Sequence, residues 1–328
     1  MVRINSDQSA VPKQLPLFED KWMLLNRGIS ELTRLNLVEA KEAFEHYKAL
    51  YRREHDIDTK LKHTDFLMEG FANGPESCPE QPAYLCELWS SFEDYVQAVG
   101  FEQGHIISDI KSSFFRKAVE AINQCDLAEA PLLSDTIPTG YVYIQAGEYD
   151  LAIKVLQSCI LKTPRSAAIY GYLGDAYMLR GEPNVARQCY QEAFLIDPAG
   201  IDCRYMKDRA LLELREQLVG EEGLDTALAL EWVPSYAYID GLFRPRIMKL
   251  NEGVKEFVGE YLELQKAFFK EQASNLKAKL FFRGIILCDN EPLLRFVNKV
   301  NFIEVRKQMK SLNPALFSRY LKFIENRK

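Results

Sequence analysis

An internal repeat limits this chain more than any other feature. Residues 133–166 laid over 167–200 without a gap agree at eight of 34 positions, where ordinary residue usage would give about two. The agreeing pairs include Gly140/Gly174, Tyr143/Tyr177, Gly147/Gly181, Ala152/Ala186 and Pro164/Pro198. Each has a physical meaning. Gly174 and Ala186 lack bulk, so two antiparallel helices can come close at those points. Tyr177 follows Gly174 by three residues on nearly the same helical face and fills the space between the helices. Gly181 stands where the first helix has to stop, and it can take the left-handed backbone of a C-cap. Pro183 and Asn184 suit the opening of the second helix. Pro198 ends it, because proline has no N–H to donate and clashes with the preceding turn. The unit is helix, turn, helix, stop. Such a unit buries its apolar face only against another of its kind.

These positions resemble the tetratricopeptide repeat, whose pattern has an aromatic, Leu-Gly, Tyr, Ala, a second aromatic and a closing Pro. In the second copy Tyr170, Leu173, Gly174, Tyr177, Ala186, Tyr190, Ala193 and Pro198 fill those places. In the first copy Gly140, Tyr143, Ala152 and Pro164 match, while Thr136, Thr139 and Leu156 depart. A fainter copy over residues 21–54 keeps Gly28, Ala40 and Phe44 at the same spacing, with Glu31 at the tyrosine position and Arg52 at the proline.

The resemblance implies stacked helix pairs whose first helices line a concave groove for a partner segment. Its groove-facing positions would be Ser134, Ile137, Tyr141, Ile144 and Gln145 in the first copy. In the second they would be Ala168, Gly171, Asp175, Met178 and Leu179. The Lys, Asn and Arg with which one subgroup of the family grips chaperone C-termini are absent from these positions. An apolar or amphipathic protein segment is the expected occupant, contacted by Tyr141, Ile144, Met178 and Leu179.

Helical periodicity continues through most of the chain, strand signals are scarce, and no β-α-β alternation occurs. The expected fold class is all-α: stacked antiparallel helix pairs, an α-solenoid, with an additional C-terminal helical bundle. Four regions are expected: a tail over 1–20, a helical region over 21–128, the repeats over 129–231, and a basic helical region over 232–328. The last boundary rests on residues 232–245, WVPSYAYIDGLFRP, rich in turn formers and aromatics. Ser274 or Asn275 is expected to divide the long helical pattern of 251–288 into a hairpin.

Little in the sequence carries catalytic chemistry. No phosphate-cradling glycine loop, H-E-x-x-H or nucleophile elbow is present, and no cofactor or metal is expected. His55, Asp56, Asp58, His63 and Asp65 lie close in sequence but at no recognised ligand spacing, and read as a solvated loop between helices. The seven cysteines are dispersed and form no C-x-x-C pair. They read as reduced thiols packed as small apolar groups, which points to the cytoplasm. No apolar run is long enough to span a bilayer.

Residues 241–328 carry a formal charge of +9 and residues 1–240 carry −15. Such a split marks an interaction surface or two halves that attract each other. The function expected is a protein–protein interaction scaffold rather than an enzyme. One alternative is a nucleic-acid-associated regulator using the basic C-terminal helices. A second is an enzyme with a site at the junction near 232–245.

Overall fold

The computed structural model describes residues 17–51, 55–99, 104–248, 252–295 and 300–326. Among these, every regular element is a helix, and the one β pairing is an isolated bridge between Leu132 and Pro138. The chain divides into two compact units, Met1–Ala128 and Glu129–Lys328.

The first unit holds α1 (Leu17–Thr33), α2 (Leu37–Leu50), α3 (His55–Ala72), α4 (Gln81–Val99) and α5 (Gly104–Gln124). Each helix packs on the next, and α5 returns to α1. An aromatic core of Phe44, Trp89, Phe92, Phe114 and Phe115, all fully buried, explains the closure. A 3-10 turn over Cys78–Glu80 leads from α3 into α4.

The second unit begins with two hairpins, α6 (Thr139–Ala146) with α7 (Tyr149–Lys162) and α8 (Ala167–Leu179) with α9 (Pro183–Ile196). There follow α10 (Arg209–Glu221), α11 (Thr226–Ile239), α12 (Glu252–Glu271), α13 (Ser274–Asp289), the short α14 (Glu291–Leu294), α15 (Phe302–Leu312) and α16 (Pro314–Asn326). Helix α7 packs on α8, so the two hairpins are stacked, and α11 touches α9, α10, α13 and α16. Residues 252–288 form a hairpin, with the break at Gln272, whose backbone is left-handed at φ 50°, just before the expected Ser274 or Asn275.

The hairpins α1/α2, α6/α7 and α8/α9 share one local geometry. In α6/α7 the Gly147 N–H donates to the Ile144 carbonyl at 3.1 Å and the Glu148 N–H to the Tyr143 carbonyl at 2.8 Å. In α8/α9 the Gly181 and Glu182 N–H groups do the same to Met178 and Tyr177, at 3.1 and 2.9 Å. In α1/α2 Leu35 and Asn36 donate to Leu32 and Glu31, at 3.0 and 2.9 Å. This is the C-terminal cap that a left-handed residue closes. Gly147 and Gly181 adopt it at φ 87° and 88°, and Leu35 adopts it at φ 63° without being glycine.

The close approach is also common to the three. A Cβ added to Gly140 would lie 2.3 Å from Leu156 Cγ, one on Gly174 2.8 Å from the Tyr190 ring, and one on Gly28 2.4 Å from the Phe44 ring. The first helix of each pair therefore nests against its partner only because that position carries no side chain.

The segment from Trp232, where turn formers and aromatics suggest a boundary, is instead the second half of α11. All residues from Glu231 to Ile239 are buried, with Pro234 inside the helix. Proline removes one backbone donor there, but apolar packing on every side holds the helix through it.

Candidate functional site

The groove implied by the repeats would run along α6 and α8, and the chain itself covers it. After α9 comes one 3-10 turn, Pro198–Gly200, and residues 201–208 then lie across α8. Ile201, Tyr205 and Met206 are buried there. Ile201 sits over Gly171, where an added Cβ would be 3.5 Å from its Cγ2. The Tyr205 ring meets that of Tyr141 at 5.2 Å, and Tyr141 meets Tyr172 at 5.3 Å. The Tyr172 hydroxyl donates to Asp202 at 2.9 Å.

Asp175 anchors this covering segment. It is 3% exposed, and its Oδ1 accepts from the Tyr190 hydroxyl at 2.5 Å and from the Lys207 N–H at 2.7 Å. Burial pushes its carboxyl up to about 7, against the opposing pull of those two hydrogen bonds. Arg187 fastens the far end, 2.7 Å from Asp208, whose carboxylate also caps α10 through the Ala210 N–H at 3.1 Å.

The ten positions implied by resemblance therefore divide. Tyr141, Ile144, Gly171 and Asp175 are buried. Ser134 is engaged locally, its Oγ accepting from the Thr136 and Ile137 N–H groups at 3.4 and 3.3 Å, and Ile137 is half-buried. Ala168 is half-buried on the first turn of α8. Gln145 and Met178 are half-buried and Leu179 is 38% exposed. These last three lie at the C-terminal ends of α6 and α8, where Met178 and Leu179 reach the surface and the Gln145 amide nitrogen is buried. Ile201, Tyr205 and Met206, which determine the outcome, were not among the expected site residues. Their one sequence signal is apolar character in a stretch without helical period.

Several other ionisable groups of the second unit pair within it. Arg246 holds Glu192 through two bonds of 2.5 and 3.0 Å, Lys279 meets Asp197 at 3.4 Å and Glu231 at 3.3 Å, and Arg319 meets Asp240 at 2.6 Å. The basic C-terminal helices thus dock on carboxylates that precede them in the chain. Burial raises the Glu231 carboxyl, with Lys279 opposing, and the Arg283 guanidinium donates to the Leu195 carbonyl at 2.8 Å.

His55, Asp56, Asp58, His63 and Asp65 lie on α3, not on a loop. Asp58 pairs with Lys48 at 2.7 Å, Asp65 with Lys41 at 2.8 Å, and Asp56 with Lys60. His63 is buried with Phe92 and Tyr95 edge-on at 5.8 and 5.7 Å. Burial lowers its pKa to about 4, with the nearby Lys60 charge acting in the same sense. Among the described residues no group of three or more His, Cys, Asp or Glu side chains is placed to hold a metal ion.

The cysteines correct one expectation. Cys78 and Cys125, 47 residues apart, form a disulfide with an S–S distance of 2.06 Å that joins the 3-10 turn before α4 to the end of α5. Cys86, Cys159, Cys189, Cys203 and Cys288 are free. Among the described residues no helix is long and apolar enough to cross a membrane. No protein-family model matches the chain, and no curated protein matches it.

Proposed function

We propose that the chain is a protein–protein interaction scaffold built on tetratricopeptide-type hairpins. The observation that carries this reading is the recurrence, in α1/α2, α6/α7 and α8/α9, of one close approach through glycine and one left-handed cap. Stacked hairpins of this kind serve recognition through extended surface rather than a deep pocket. The partner surface in the second unit is not the covered face of α8. It is the open end at Met178 and Leu179, where an apolar segment gains contact without displacing residues 201–208. The ion pairs of Arg246, Lys279 and Arg319 with carboxylates of the same unit neutralise part of the basic surface, which weighs against a polynucleotide. The disulfide removes the argument for a reducing compartment, so no compartment is proposed.

The test uses the full chain with a photoreactive side chain at position 179, in extract of its own host cells. A defined partner should crosslink there, and Met178→Glu should abolish its capture while leaving the circular dichroism unchanged. Capture that survives the substitution places the partner elsewhere and removes this surface.

A further inference from the structure

We propose that the first unit carries a second recognition site, a cleft along α5 that takes an acidic peptide bearing one apolar or aromatic side chain. The inference rests on reading the chain as an interaction protein and adds a site and a ligand class to it. Two depressions, of about 400 and about 480 Å³, flank the same two residues of α5, Lys117 and Glu120. They make one cleft with unlike ends. At one end Phe71, Tyr84 and Leu85 offer apolar surface, and the Tyr84 ring is fixed because its hydroxyl donates to the Gly70 carbonyl at 2.7 Å. At the other end the lining is cationic, Arg34, Arg116 and Lys117 against Glu120, with Glu31 beside it 4.0 Å from Arg34. Lys117 stands at the junction, with its ammonium 5.0 Å from the centroid of the Phe71 ring.

A second observation points to the same place. Leu35, which lines the cationic end, has the left-handed backbone that glycine supplies in the two equivalent hairpins. A leucine in that conformation is strained, and such strain collects at binding sites. Here it puts an apolar side chain beside the cations, where glycine would leave none. Charge complementarity selects the ligand: Arg34, Arg116 and Lys117 outnumber the carboxylates of Glu120 and Glu31 and favour an acidic group, and the apolar end favours a Phe or Leu side chain beside it. The apolar end also argues against a bare polyanion, which would leave it unfilled.

The experiment titrates the full chain with a fluorescein-labelled short peptide of Glu and Asp around a central Phe, following anisotropy. Binding should weaken about tenfold for Arg116→Glu with Lys117→Glu, which are exposed and leave the core intact. It should weaken about fivefold when the peptide Phe becomes Ser, and fall as salt rises. No binding by the natural chain overturns the proposal. So does binding indifferent to the Arg116 and Lys117 substitutions, and so does equal or tighter binding of poly-U RNA. A partner crosslinked at position 179, with no capture of the acidic peptide, would sink this cleft and leave the scaffold reading standing.

Discussion

Adding one methyl group at a helix glycine should have opposite effects at two places in the second unit. Gly259 lies in the interior of α12, and nothing is within 4 Å of where its Cβ would be. Gly259→Ala should therefore stabilise by about 0.5–1 kcal/mol, the backbone entropy and propensity difference between the two residues. Gly174→Ala has the same backbone gain, but its Cβ would sit 2.8–2.9 Å from three atoms of the Tyr190 ring. That ring is fully buried and tethered through its hydroxyl to Asp175. Overpacking of this kind costs about 1–3 kcal/mol, which leaves a net destabilisation of about 1 kcal/mol. At Gly140 the contact is 2.3 Å to Leu156 Cγ, a branch point that cannot swing aside as a chain tip can, and the net loss should reach about 2 kcal/mol.

The assay is urea unfolding followed by the fluorescence of Trp232, in a background where Trp22 and Trp89 are Phe. Those two tryptophans belong to the first unit, and two units need not unfold together. The coupling is also testable. Leu156→Ala alone should cost about 2–5 kcal/mol, and adding Gly140→Ala should recover at least about 1 kcal/mol of that by filling the space. If Gly140→Ala or Gly174→Ala stabilises as Gly259→Ala does, close helix approach is not what fixes these hairpins.

Three further outcomes follow from His63, Asp175 and the disulfide. Folded His63 takes its proton only near pH 4 while an unfolded chain takes it near 6.5. The first unit should therefore lose about 2 kcal/mol between neutral pH and pH 5, and His63→Leu should flatten that slope in Trp89-monitored unfolding. Asp175 has the opposite sign. Its carboxyl, held near 7 in the fold against about 4 unfolded, stabilises while protonated and loses that contribution as pH rises through 7, so the second unit should weaken from pH 5 to 8; Asp175→Asn should remove the trend. Reduction of Cys78–Cys125, or Cys125→Ser, frees a 47-residue separation and should cost the first unit up to about 4 kcal/mol; alkylation before and after reduction should label five and then seven thiols in the unfolded chain.

What could be read from residues alone was local and steric. Small residues at Gly140, Ala152, Gly174 and Ala186, with left-handed glycines seven residues after the first of each pair, are enough to specify a hairpin, because both constraints act within one turn of the chain. The α1/α2 pair looked fainter because Glu31 and Arg52 hold the tyrosine and proline positions, yet Gly28 meets Phe44 as Gly174 meets Tyr190. Propensity alone misplaced residues 232–239: Pro234 and Ser235 read as turn formers, and burial on all sides made them helix. The disulfide left no trace, since two cysteines 47 residues apart become neighbours only when α3, α4 and α5 have packed.

The covered groove shows why site residues were harder to read than the fold. A repeat pattern states which way a side chain points, not what stands opposite it. Asp175 illustrates the difference. As a surface residue it would be one solvated carboxylate among many. With Tyr190 and Lys207 donating to it and Tyr205 lying over Tyr141, it holds residues 201–208 against α8 instead. A partner that used the inner face would have to break the Lys207 bond and expose Ile201, Tyr205 and Met206, leaving Asp175 buried with one donor fewer, a cost of about 1–3 kcal/mol for the carboxylate before any apolar loss is counted. The open end at Met178 and Leu179 carries no such cost, and it is the surface we propose for recognition by the second unit.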